Sequence, residues 1–190
     1  MCIRDRSQGL DYRETRDTAG SQGTSVHYLA ESYIKGWDYE EPTDEKVIKA
    51  FNKFKEWWIS LSNKFELVWT EKKMVSKKYL YGGCPDLLLK INNKFCLCDL
   101  KTGKAIYEDT VIQLGAYGQL IKETDNIDID KAIIVRLPKD NSKLEIKEFS
   151  KKDLKLGFAQ FKLFRKGWDN NEKIERLFTK NKRNKKYVNR

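Results

Sequence analysis

Apolar residues recur along this chain with two periods, and each change of period marks a new element. Between Thr24 and Lys35 the positions Val26, Leu29, Ala30 and Tyr33 return every three or four residues. That spacing predicts a helix with one apolar stripe. His27 and Glu31, four apart, share another of its faces. Gly36 ends this helix, and Pro42-Thr43-Asp44 signals a fresh start. Val47, Phe51, Phe54, Trp58 and Leu61 then mark a second, long amphipathic helix. From Phe65 the period falls to two. Phe65, Leu67 and Trp69 alternate with Glu66, Val68 and Thr70, predicting a strand that ends near Glu71.

Residues 79–91 and 94–101 read as the next two strands, an antiparallel hairpin turned at Asn92-Asn93. A helix follows over residues 108–123, with Val111, Leu114, Gly118 and Ile121 toward the sheet and Gly118 permitting a close approach. The unbroken apolar run from Ala132 to Val135 predicts a buried strand, and residues 143–149 an edge strand. Leu154, Phe158, Phe161, Phe164 and Trp168 mark a last packed helix. The expected fold class is α/β, a mixed central sheet flanked by helices. Residues 1–15 carry no periodic pattern, and the opening MCIRDR is not legible as an element.

Charge adds a partner to this picture. The chain has 190 residues and a net charge of +10, enough for one domain with a real core and suited to a polyanion. The positive charge is concentrated at the end. Residues 171–190 hold eight Lys or Arg, among them Lys182, Arg183, Lys185 and Lys186, against Glu172 and Glu175. We expect this tail to fray beyond Phe178 and to order on nucleic acid. The division expected is therefore a domain over 16–170 and a basic tail over 171–190. No stretch approaches the roughly 18 apolar residues of a membrane span, and no apolar signal core opens the chain. The expectation is a cytoplasmic protein with no membrane partner.

Candidate chemistry gathers between Gly82 and Tyr117. In KFCLCDLK, residues 94–101, Phe95, Leu97, Asp99 and Lys101 fall on one face of the strand, and Cys96, Cys98 and Leu100 on the other. A carboxylate and an ammonium thus sit side by side where an apolar strand runs out. Asp86 heads the other apolar run after Pro85, which breaks regular pairing. Two carboxylates and a lysine at one sheet edge can hold a hard divalent cation. The lysine can steady developing negative charge. Glu71 is open to two readings: a further acid, or a layer around the metal, on one side; a solvated strand end beside Lys72 and Lys73 on the other. Cys96 and Cys98 read as buried thiols of a reducing compartment. The cysteine and histidine spacing predicts neither a zinc site nor an iron–sulfur cluster.

Pro85-Asp86, a spacer, and Asp99-Leu100-Lys101 together resemble the signature of the PD-(D/E)XK nucleases. Gln113 to Tyr117 resembles the QxxxY helix motif of the RecB-type branch, and Gly23-Thr24-Ser25-Val26-His27 its GTxxH helix. The likeness spans about residues 16–137 and is nearest in kind to phage and mitochondrial-genome-maintenance exonucleases. It implies a restriction-endonuclease-like core, with more helical chain expected ahead of the GTxxH helix than this sequence carries. It implies Mg²⁺ or Mn²⁺ held by Asp86, Asp99, His27 and the backbone carbonyl of Leu100, with Lys101 beside the reacting phosphate. Gln113 and Tyr117 would position the DNA strand. The implied activity is a DNA exonuclease on single-stranded or frayed ends. The alternatives are a structure-specific endonuclease and a non-catalytic DNA-binding module of recombination or repair.

Overall fold

The computed structural model describes residues 12–61 and 65–188, and the side chains of 16–61 and 65–178. Helices α1 (Tyr12–Lys35) and α2 (Glu45–Ser60) come first. Strands β1 (Phe65–Thr70), β2 (Met74–Ser76), β3 (Tyr81–Gly83), β4 (Leu87–Ile91) and β5 (Lys94–Lys101) follow. Helix α3 (Asp109–Asp125), strands β6 (Lys131–Arg136) and β7 (Glu145–Ser150), and helix α4 (Lys151–Val188) complete the order.

The main sheet runs β1-β4-β5-β6-β7, and β2 pairs with β3 in a separate small sheet. All main-sheet pairs are antiparallel except β5 and β6. The α3 crossover carries the chain between those two parallel strands, as parallel pairing requires. The fold class is thus α/β, with a mixed sheet flanked by helices.

Each face of the sheet buries its own core. On one side Val26, Leu29 and Ala30 of α1 and Val47, Phe51 and Phe54 of α2 pack against Leu87, Leu89, Cys96, Cys98 and Leu100. On the other side Leu114, Leu120 and Ile121 of α3 and Leu154 of α4 pack against Leu88, Leu97 and Ile134. The period-two reading of β5 therefore holds, and Cys96 and Cys98 are buried thiols. The hairpin turn also holds. Asn92 and Asn93 have φ of 51° and 61°, the paired left-handed conformation of a two-residue turn that asparagine tolerates. At the start of α2 the Asp44 side chain accepts from Lys46 N, and at the start of α4 Ser150 and Asp153 cap each other.

Five expectations differ from the structure. Helix α1 begins at Tyr12 rather than Thr24; no proline interrupts the turns before it. Gly23 lies inside it, where a Cβ would come 3.2 Å from Thr102 Oγ1, so the glycine lets the helix pass close over the end of β5. The strand expected over 79–91 is split: residues 81–83 join β2, and only 87–91 enter the main sheet, with Pro85 unable to donate between them.

The alternation in β1 breaks at a bulge between Leu67 and Trp69. Phe65 and Leu67 pack with α1 and α2, whereas Val68 and Trp69 pack on the opposite side. An extra residue in one strand shifts the phase of every residue after it.

The close helix approach is made by Gly115, not Gly118. A Cβ on Gly115 would lie 2.6 Å from the carbonyl oxygen of Leu154 on α4, and one on Gly118 would meet nothing within 4 Å. Glycine is needed where the backbones cross, and α3 crosses α4 one turn earlier than the stripe suggests. Finally, α4 runs unbroken through residue 170 to Val188, with neither proline nor glycine after Gly167 to stop it. The side chains of Lys182, Arg183, Lys185 and Lys186 lie outside the described residues.

Candidate metal and phosphate site

Three elements meet at one point: the end of β1, the start of β4 and the middle of α1. The bulge in β1 delivers Glu71 just past the strand, with φ of 45°. A non-glycine residue in the left-handed region is strained, and such strain gathers at functional sites. Glu71 N donates to the carbonyl oxygen of Asp86 at 2.7 Å, which holds the two segments together. Asp86 then stands at the mouth of β4. From α1, the turn containing His27 and Glu31 lies over both. Glu31 Oε1 accepts from Thr70 Oγ1 at 3.2 Å and from Lys35 at 2.6 Å, fixing that face of the helix against β1.

His27 Nδ1 lies 3.1 Å from Glu71 Oε1 and 3.4 Å from Asp86 Oδ1. Ligating atoms of His27, Glu71 and Asp86 all lie within 4.8 Å of one another. Leu100 lines the same cleft. Burial pulls the His27 imidazole down, but the Asp86 and Glu71 carboxylates outweigh it and raise it to about 10. In the metal-free protein a proton therefore holds the place between two acids.

Asp86 also has a structural duty. Its Oδ2 accepts the backbone N–H of Leu100 at 2.6 Å, tying β4 to β5 where the ladder between them has ended. One oxygen of this buried carboxylate therefore anchors the sheet and the other faces His27.

On the opposite face of β5, Asp99 and Lys101 form a second group. Lys101 Nζ sits 2.7 Å from Asp99 Oδ2, a close ion pair, but that buried oxygen has no aligned hydrogen-bond donor. Burial, then the Asp86 charge, push the Asp99 carboxyl up to about 6 against the pull of Lys101. Lys101 Nζ also donates to Gln113 Oε1 at 2.9 Å, and Gln113 Nε2 donates to the Tyr117 hydroxyl at 2.9 Å. Burial first, with Asp99 and Asp86 nearby, raises Tyr117 to about 12, so it stays a phenol. Gly83 makes room for its ring: a Cβ there would lie 3.2 Å from Tyr117 Cδ1.

Two of the expectations acquire geometry here. Gln113 reaches the lysine and Tyr117 reaches Gln113, and Glu71 lies within the acidic cluster rather than at a solvated strand end. Asp99 stands apart from the three-residue cluster and is joined to it through the electrostatics of Asp86. Cys84, unassigned from sequence, is also at the site, its Sγ 3.4 Å from Glu71 Oε2. Its position just before Pro85-Asp86 was the available signal.

The residues present suit a hard divalent cation: two carboxylates and an imidazole converge on one point, and a third carboxylate nearby has an oxygen without an aligned donor. No helix among the described residues is long and apolar enough to cross a membrane. No protein-family model matches the chain. No curated protein matches it. Among solved structures it is similar to the crystal structure of SSO0001, at 12% identity and a TM-score of 0.37, over 74% of this chain and 84% of that one; a likeness so slight carries no weight for fold or function.

Proposed function

We propose that this chain is a metal-dependent deoxyribonuclease of the PD-(D/E)XK kind, an exonuclease acting on single-stranded or frayed DNA ends. The observation that carries the reading is the convergence of His27, Glu71 and Asp86 beside the Asp99–Lys101 pair, with Lys101 held by Gln113 and Gln113 by Tyr117. A merely structural cluster would not need a half-buried lysine gripped from a second element beside it.

His27, Glu71 and Asp86 would hold Mg²⁺ or Mn²⁺, with Asp99 and the Leu100 carbonyl as further oxygen donors. When bound, the ion supplies Lewis acidity toward a phosphate oxygen and makes water a better nucleophile at neutral pH. The side chains do the rest. Lysine has three donors; Gln113 takes one at Lys101 and Asp99 lies alongside as its ion-pair partner, which leaves donor capacity for a phosphate oxygen or the attacking water. A fixed ammonium aimed at developing charge stabilises it without reorganisation. Gln113 fixes the direction of that ammonium, and Tyr117 fixes Gln113. The net charge of +10 and the basic tail supply attraction for the polyanion.

The test is incubation with end-labelled linear and with circular single-stranded DNA, in Mg²⁺, Mn²⁺ or EDTA. The expected result is progressive shortening of the linear strand with either metal, none in EDTA, and survival of the circle. Cleavage of the circle would make the protein an endonuclease. An intact linear strand with both metals would sink the nuclease reading.

A further inference from the structure

Next to the lysine chain lies a cavity of about 360 Å³ between β3, α3 and α4, within the range of small-ligand sites. Tyr81, Gln113, Tyr117, Phe161, Phe164 and Asp109 are among its walls. Gln113 and Tyr117 thus serve two places at once: Gln113, supported by Tyr117, holds Lys101 on one side, and both border the cavity on the other.

The walls are aromatic and partly preset. Tyr81 is fixed by its hydroxyl, which donates to the Ala116 carbonyl oxygen at 2.8 Å. Phe161 rests on Tyr81 with ring centroids 4.5 Å apart and on Phe158 at 6.2 Å. Phe164 is 59% exposed, and Trp168, one turn further, is 63% exposed. Phe161, Phe164 and Trp168 follow at spacings of three and four, so they make one row along α4, leading from the cavity toward the basic end of the chain. Exposed apolar rings in a row mark a binding surface rather than a core.

Resting on the nuclease reading, we propose that this cavity receives one unstacked nucleobase of a single DNA strand, next to the phosphate held at Lys101. Charge selects the base over the phosphate as occupant. Asp109 repels an anion, but its carboxylate is an acceptor only, and every nucleobase offers an N–H on its pairing edge. Aromatic faces take any base, because every base has a π-face. The row from Phe164 to Trp168 gives the next base a platform. A paired base cannot enter, which gives the site a preference for single strands.

The test is equilibrium binding of the full-length protein in EDTA, where no cutting occurs. The probes are short single-stranded oligonucleotides carrying one abasic residue, moved stepwise from the end. The abasic residue should weaken binding roughly 5- to 150-fold at one or two adjacent positions and little elsewhere. Phe164→Ala should weaken binding of the intact strand by a similar factor and erase the position dependence, whereas Phe164→Trp should keep both. Equal effects at all positions, or position dependence that survives Phe164→Ala, would overturn the proposal. Cleavage in Mn²⁺ is scored separately. Position-dependent binding without cleavage would remove the nuclease reading and leave the pocket; cleavage without position dependence would do the reverse.

Discussion

Lys101 and Gln113, twelve residues apart on a strand and a helix, are joined by a 2.9 Å hydrogen bond from Nζ to Oε1. The bond makes the direction of the ammonium a property of two elements. Lys101→Ala should therefore lower turnover by roughly 10²–10³. Gln113→Ala leaves the charge but frees its direction, and should cost on the order of tenfold to a hundredfold. Tyr117→Phe removes only the outer support and should cost less than about tenfold. Single-turnover cleavage of end-labelled DNA gives all three. The order Lys101, Gln113, Tyr117 is the claim, and a Tyr117→Phe loss equal to that of Lys101→Ala would contradict it.

Asp86 separates chemistry from architecture. Asp86→Asn keeps a carbonyl oxygen able to accept from Leu100 N but loses the anionic charge facing His27. It should be inactive and still fold, losing the charge pairing with His27 but keeping the bond to Leu100. Asp86→Ala leaves the Leu100 N–H buried without its partner, a loss of about 1–3 kcal/mol. Urea denaturation with a parallel cleavage assay distinguishes the two variants. Equal stability of Asn and Ala variants would mean that the Asp86–Leu100 bond contributes nothing.

His27 predicts a pH dependence. Its ordinary value of 6.5 is raised to about 10 in the metal-free fold. The raised value favours the folded state below pH 6.5, and that contribution is lost as pH climbs toward 10. In EDTA, stability should thus fall between pH 7 and 10, and fall less in His27→Gln. Uptake of Mn²⁺ must expel the same proton, so calorimetry in buffers of different ionisation enthalpy should report release of about one proton near neutral pH. Parallel pH profiles for parent and His27→Gln would refute the assignment.

Two glycines of α3 should respond in opposite directions. Gly115→Ala drives a methyl against the Leu154 carbonyl oxygen, 2.6 Å away, and should destabilise by about 1–3 kcal/mol. Gly118→Ala meets nothing within 4 Å and should stabilise by about 0.5–1 kcal/mol through helix propensity alone. Thermal unfolding of the two variants checks the signs.

Much of this site was legible in sequence because the relevant constraint is local. The pleat of a strand fixes which residues share a face, so Asp99 and Lys101 on one side of β5, and Cys96, Cys98 and Leu100 on the other, followed from spacing alone. The Asn92-Asn93 turn and the apolar stripes of α1 and α2 followed for the same reason. The residues that needed the tertiary structure are those set by a neighbour far along the chain. Whether Glu71 is a solvated strand end or part of the cluster depends on a one-residue bulge against β4, which shifts phase without changing composition. Whether Gly115 or Gly118 admits a second helix depends on where α4 crosses, and both sit in the same helix with the same propensity. That Asp86 anchors Leu100 and that Gln113 aims Lys101 are relations between elements. Backbone periodicity determined the faces, but contact between faces is decided only when the sheet and its helices close on one another.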